Sequence, residues 1–303
     1  MATHTRARAG LALLTTATLA LLAGCATAPG ANGTAPTQEE SVTVVASTTW
    51  QGMFATAAGA ENVTIIVPPS AQHAAEYDPN PSDLTKLTGA DFVLYSDFES
   101  FVPTLTDAAD ADAELIAVNA DNAPENVIAE VTRLGEAFGT TEEAEAWVAE
   151  FKTALDEFRD EILTALGDHA DPVIVSQVYT TWLADLITDD VRSFGPSQPT
   201  VSEVADLTGA APRLVLDNIH MTSGRVLPDS DAIQVNVVNY PEKDLDVIAL
   251  YRLNVDKVIA ALGGHTVDEI TDGGHGAHGE SAHGSHGTDN QDRGSDNDNG
   301  HDH

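Results

Sequence analysis

The chain predicts an α/β fold built from mostly parallel sheets, and three observations carry that expectation. Short β-branched or apolar runs alternate with helical periods from Ser41 to Val118. That order places parallel strands in one sheet with helices on its faces. The alternation starts again at Pro172, and the longest amphipathic stretch of the chain lies between the two series.

Each element follows from local pattern. Ser41 to Ser47 (SVTVVAS) is a β-branched strand, and Trp50 to Ala58 a helix that stops near Gly59. Asn62 to Val67, Asp91 to Tyr95 and Glu114 to Val118 are further short apolar runs of strand character. Helical segments at Ser82 to Thr88 and around Phe98 to Ala109 separate them. Pro124 to Phe138 forms a helix with Val127, Ile128, Val131, Leu134 and Phe138 on one side, interrupted at Gly139. Thr140 and Glu143 then offer a capping box. In the following helix Ala144, Trp147, Val148, Phe151, Leu155, Phe158, Ile162 and Leu166 fall at spacings of three and four, one continuous apolar face. About 26 residues at about 1.5 Å each give roughly 39 Å, the length of a domain. This helix is either packed on one sheet or a strut between two lobes. Beyond it come strands at Pro172 to Ser176, around Leu214 to Leu216 and at Ile233 to Val238. Helices are expected at Thr180 to Ile187, Thr200 to Leu207 and Leu245 to Leu262.

The two ends differ from this body. Arg6 and Arg8 precede an apolar run from Leu11 to Leu22, too short for a good transmembrane span, and Leu22-Ala23-Gly24-Cys25 follows. This matches a bacterial lipoprotein signal over residues 1–25, with Cys25 as the lipidation site and an anchor to the outer face of the membrane. Cys25 is the only cysteine, so an intrachain disulfide and a Cys-based metal site are excluded. Residues 26–40, rich in Ala, Thr, Pro and Gly, read as a flexible tether. Residues 263–303 carry Gly, His, Asp, Ser and Asn without apolar period, and are expected to be disordered. The tail histidines His275, His278, His283, His286, His301 and His303 suit loose scavenging of Zn²⁺ or similar ions. A formal charge of −35 disfavours nucleic acid as a partner and favours cations near the surface. No Ser/His/Asp order, HExxH run, P-loop or Gly-rich nucleotide motif is present, so a binding protein is expected rather than an enzyme.

The stretch with most chemical content is VPPSAQHAAEYDPNPSDLTKLTGADFVLYSD, Val67 to Asp97. It sets His73, Glu76 and Asp78 on a proline-bounded loop at a strand end, where open α/β sheets bind ligands. Imidazole and carboxylates on a stiff loop suit a divalent transition metal. His220, in LVLDNIHMTSG, is a second imidazole at a strand end. Gln177 reads as a hydrogen-bonding neighbour because amides ligate transition metals weakly. Asp217 and Asn239 are further candidates in the second half, and His169 an exposed loop residue. Trp50 and Trp182 either pack in the core or line a cleft.

These segments, with VIVSQVYTTWLADL and VVNYPEKDLDVIALYRLNVDKVIAAL, resemble the zinc and manganese receptors of ABC transporters over most of residues 41–262. YDPNPSDLTKLTGADFVLY carries the strongest likeness. The resemblance implies a periplasmic-binding-protein-like fold of the rigid-helix type. Residues 41–138 would form an N-terminal lobe, 139–167 the linking helix and 168–262 a C-terminal lobe, with Zn²⁺ or Mn²⁺ held between the lobes. It also implies a monomer that delivers its cargo to an ABC permease and ATPase. The departures are specific. The family's first histidine falls at Ala75, between His73 and Glu76; a strand-end histidine falls at Gln177; an acidic ligand falls near Asn239. The segment NVIAEVTRLGEAFG is more like receptors for iron chelates and cobalamin, which share the two-lobed plan. An iron or cobalt chelate, including haem, is therefore the alternative cargo.

Overall fold

The computed structural model describes residues 41–69, 71, 74–168, 171–222, 224–241 and 243–263. Cys25, the tether, His73, His169 and the tail histidines lie outside the described residues. Two four-stranded sheets form the body. The first has the order β2-β1-β3-β4, from Asn62–Ile65, Thr43–Ala46, Phe92–Tyr95 and Glu114–Ala117. The second has the order β6-β5-β7-β8, from Val191–Phe194, Ile174–Gln177, Leu214–Asn218 and Ile233–Val237. Every strand pair in both sheets is parallel. The second sheet thus repeats the topology of the first.

The inner strands read as their positions require. β1 and β5 each pair on both sides, and Val44, Val45, Ala46 and all of Ile174 to Gln177 are buried. A strand covered on both faces needs a continuous apolar run rather than alternation. Edge strand β4 buries only Ile116. β6 was not predicted: Val191–Phe194 is an edge strand whose Arg192 and Ser193 are exposed, so it lacks the apolar signal.

Helices α1 (Thr49–Ala57), α4 (Pro124–Phe138), α5 (Thr141–Leu166) and α8 (Val247–Leu262) share one continuous core. α5 joins the lobes, packing on α4 and α8 through Phe151, Phe158, Ile162 and Leu166. Tyr251 of α8, fully buried, meets Phe151 edge-on at 5.1 Å and Trp182 at 4.5 Å. α4 stops because Gly139 takes a left-handed φ of 77°. The predicted capping box at Thr140 does not form. Its hydroxyl instead donates to the carbonyl of Ala58 at 2.5 Å, tying the start of α5 to the end of α1. The remaining helices, α2 (Pro81–Leu84), α3 (Val102–Ala108), α6 (Thr181–Ala184) and α7 (Val201–Gly209), are short connections, and α3 and α6 are shorter than the sequence suggests. Among the described residues no helix is long and apolar enough to cross a membrane.

Candidate functional site

In each sheet the chain leaves the central strand in one direction for one neighbour and in the other for the next, which opens a crevice beyond the strand C-termini. The side chains there line a cleft of about 1030 Å³. Thr48 follows β1, Ser96 and Glu99 follow β3, and Asn122 follows β4. From the second sheet come Val178 and Tyr179 after β5, His220 and Met221 after β7, and Asn239 and Tyr240 after β8.

The proline-bounded loop is held by a local hydrogen-bond clip. Asn80 Oδ1 accepts from the backbone N–H of Ser82 at 3.0 Å and of Asp83 at 3.3 Å, capping α2. Asp83 returns an acceptor to the Asn80 N–H at 3.1 Å and to the Tyr77 hydroxyl at 2.8 Å. Lys86 donates to the carbonyls of Ile65 and Ile66, anchoring the segment to the end of β2. Ser100 N–H donates to Ala75 O at 2.9 Å, joining the loop to the one after β3. Glu76 lines the cleft from this loop and is exposed. Asp78 is exposed and does not line the cleft; it lies where the chain turns into Pro79.

His220 carries the clearest site chemistry. Its ring stacks on Tyr240 at 3.9 Å with an interplanar angle of 12°, and its Nε2 is buried without a partner among the described residues. Burial, and then the nearby Lys257 ammonium, push its pKa down to about 4. The imidazole is therefore neutral at neutral pH, the form that ligates metals. The stack continues into the first lobe: Trp50 lies 5.5 Å from Tyr240, and Phe98 meets Trp50 edge-on at 6.2 Å.

Three other candidates are placed differently from a direct ligand. Gln177 Oε1 accepts from the Tyr179 N–H at 2.7 Å, and its Nε2 faces Pro196 O and Met221 Sδ. Asp217 is fully buried but does not line the cleft; its Oδ1 accepts from Asn218 N–H, and burial raises its pKa. Asn239 Oδ1 accepts from Trp182 Nε1 at 3.0 Å, so its oxygen is engaged. Among the described residues no three His, Cys, Asp or Glu side chains converge closely enough to hold a metal.

Sequence reasoning missed Glu99. It is 3 % exposed, lines the cleft, and accepts from Ser47 Oγ at 2.9 Å, Gln51 Nε2 at 3.1 Å and Ser96 N–H at 3.2 Å. Desolvation outweighs these donors and raises its pKa to about 7. An acidic residue four positions after a strand was the available signal, but it looks like a helix-start carboxylate. The tryptophans resolve in one manner: Trp50 donates to Asn122 Oδ1 at 3.0 Å as Trp182 does to Asn239. Both line the cleft, and Trp182 is core as well.

Solved structures share this fold. A Mn-bound periplasmic metal binding protein from candidatus liberibacter asiaticus is 13 % identical with a TM-score of 0.54, covering 73 % of this chain and 99 % of its own. The solute-binding protein FpvC from pseudomonas aeruginosa in complex with Mn²⁺ is 14 % identical with a TM-score of 0.56, covering 74 % and 98 %. The laminin binding protein of Streptococcus agalactiae, described as bifunctional with adhesin and metal transporting activity, is 11 % identical with a TM-score of 0.55, covering 74 % and 100 %. No curated protein sequence matches the chain significantly. Residues 44–212, more than half of the chain, match the family described as zinc-uptake complex component A, periplasmic. Strand termini that converge on one cleft between two parallel sheets fit that match, and the chain belongs to this family of metal-binding solute-binding proteins, which are not enzymes.

Proposed function

We propose that the chain is the extracytoplasmic receptor of an ABC importer for a divalent transition metal, Zn²⁺ or Mn²⁺. It works as a monomer anchored by lipid at Cys25 and hands its cargo to the permease and its ATPase. The observation that carries this reading is His220: a neutral imidazole at a strand end, oriented by Tyr240, with a buried Nε2 that has no partner among the described residues. A borderline cation accepts nitrogen and oxygen together, whereas Mg²⁺ and Ca²⁺ favour oxygen alone. Glu76 lines the opposite wall, and His73 belongs to the same loop by sequence. The tail histidines would scavenge ions loosely. The family's description as a periplasmic component of zinc uptake supports a receptor outside the membrane that serves import.

Calorimetry with Zn²⁺ and with Mn²⁺ tests this reading. Tight binding is expected, and His220→Ala should weaken it at least tenfold, since a lost ligand leaves the metal under-coordinated. Absence of a tight site for either ion would overturn the reading.

A second reading keeps the receptor and changes the cargo to a metal chelate. The cleft volume favours it. An ion with six waters, at about 30 Å³ each, needs roughly 200 Å³, far below the 1030 Å³ available.

A further inference from the structure

The carboxamide of Asn239 stands at the floor of the cleft, directly after β8, and the residue is 1 % exposed. A neighbour dictates which way it points. Trp182 Nε1 lies 3.0 Å from Asn239 Oδ1, and an indole nitrogen can donate but never accept. Turning the amide over would set two donors face to face and strand the N–H of a side chain only 2 % exposed. The amide oxygen is therefore committed to Trp182. The backbone carbonyl is committed as well, because Asn122 Nδ2 donates to it at 2.6 Å. What remains is Asn239 Nδ2, buried and without an acceptor among the described residues. Buried polar groups in folded proteins are nearly always paired, so a partnerless N–H on a cleft-lining residue is a vacancy for an acceptor atom of the ligand.

A bare cation cannot fill that vacancy, since a donor N–H points its positive end at whatever approaches. An oxygen of a chelator can. The surroundings agree with a ligand larger than an ion. Trp50, Phe98, Tyr179 and Tyr240 supply apolar area to the walls, suited to the carbon skeleton of a chelator. We propose that Asn239 is a specificity-determining residue whose Nδ2 donates to an oxygen of a chelator carrying the metal, so that the cleft selects a metal chelate over the free ion. This inference rests on the chelate reading of the cargo and names the residue that enforces it.

The emission of Trp50 and Trp182, which both line the cleft, provides the readout. The purified full chain is titrated with ferric citrate, with a ferric trihydroxamate, and with ZnCl₂ or MnCl₂ alone. At least one chelate should change the emission at lower concentration than either free ion. In Asn239→Asp one carboxylate oxygen still serves Trp182 while the other replaces the donor. That variant should lose about tenfold in affinity for the chelate, the worth of one hydrogen bond in a dry site, and gain affinity for free Zn²⁺. Trp182→Phe provides a second route: it frees the amide to turn and should shift preference in the same direction, with thermal unfolding of both variants measured to confirm the fold. Binding of free Zn²⁺ or Mn²⁺ by the wild type, with neither chelate binding nor competing, would overturn this inference and leave the metal-receptor reading standing. Binding of none of the four probes would overturn both. Chelate affinity unchanged in Asn239→Asp would overturn the role given to Asn239.

Discussion

At the scale of single residues, Glu99 and His220 bring opposite pH behaviour into one cleft. Glu99 titrates near 7 in the folded chain against about 4.5 unfolded. The folded state therefore holds more protons between those values, and the contribution of Glu99 to stability is present below about pH 4.5 and lost as pH rises to about 7. Glu99→Gln cannot ionise and escapes that loss. Its melting temperature relative to wild type should rise between pH 5 and pH 8; a constant difference across that range would show that Glu99 is not protonated in the folded chain. For His220 the folded value near 4 lies below the ordinary 6.5, so its contribution falls as pH drops through that window. His220 was readable because an imidazole after an apolar strand is uncommon and conspicuous. Glu99 was not, because its raised pKa comes from burial, and its partners Ser47 and Gln51 lie 52 and 48 positions away in sequence. The same holds for Asn239, whose meaning depends on an indole 57 positions away.

At the scale of elements, the long helix was the most legible feature, since its stripe of apolar residues spans 26 residues without a break. Its capping was misread because the Thr140 hydroxyl found a tertiary acceptor on α1. The junction it makes with α4 is unusually close. A Cβ built on Gly135 would sit against the Ala144 Cβ at a separation that real Cβ atoms do not show, with Thr140 O at 3.3 Å. Gly135→Ala should therefore cost about 1–3 kcal/mol through overpacking, read as a lower denaturant midpoint at unchanged slope. The short helices were predicted too long because their apolar residues belong to turns that pack under the sheet ends, a demand that periodicity alone does not separate from helix.

At the scale of the molecule, the alternation of strands and helices and its restart at residue 172 were sufficient to anticipate two parallel sheets. The cleft between them was not, because its floor is made by pairings across the lobes. Tyr251 of α8 donates its hydroxyl to the carbonyl of Asn122, and Asn122 in turn donates to Asn239 O. Tyr251→Phe keeps the packing against Phe151 and Trp182 and removes only this bond. It leaves a buried carbonyl short of a donor, at a cost of about 1–2 kcal/mol, and should lower the thermal midpoint by a few degrees. An unchanged midpoint would show that the hydroxyl is not needed to hold the two halves of the floor together.

Every cleft-lining side chain named above stands beyond the last ladder pairing of a strand, on a connecting loop or in the helix that follows it. The framework and the binding surface are thus mutationally separable. A histidine at the position of Ala75 or an acid at Asn239 can come and go over generations without disturbing a single strand pair. Such a scaffold permits cargo preference to drift while the architecture, and with it the ability to be matched to its relatives at 11–14 % identity, persists.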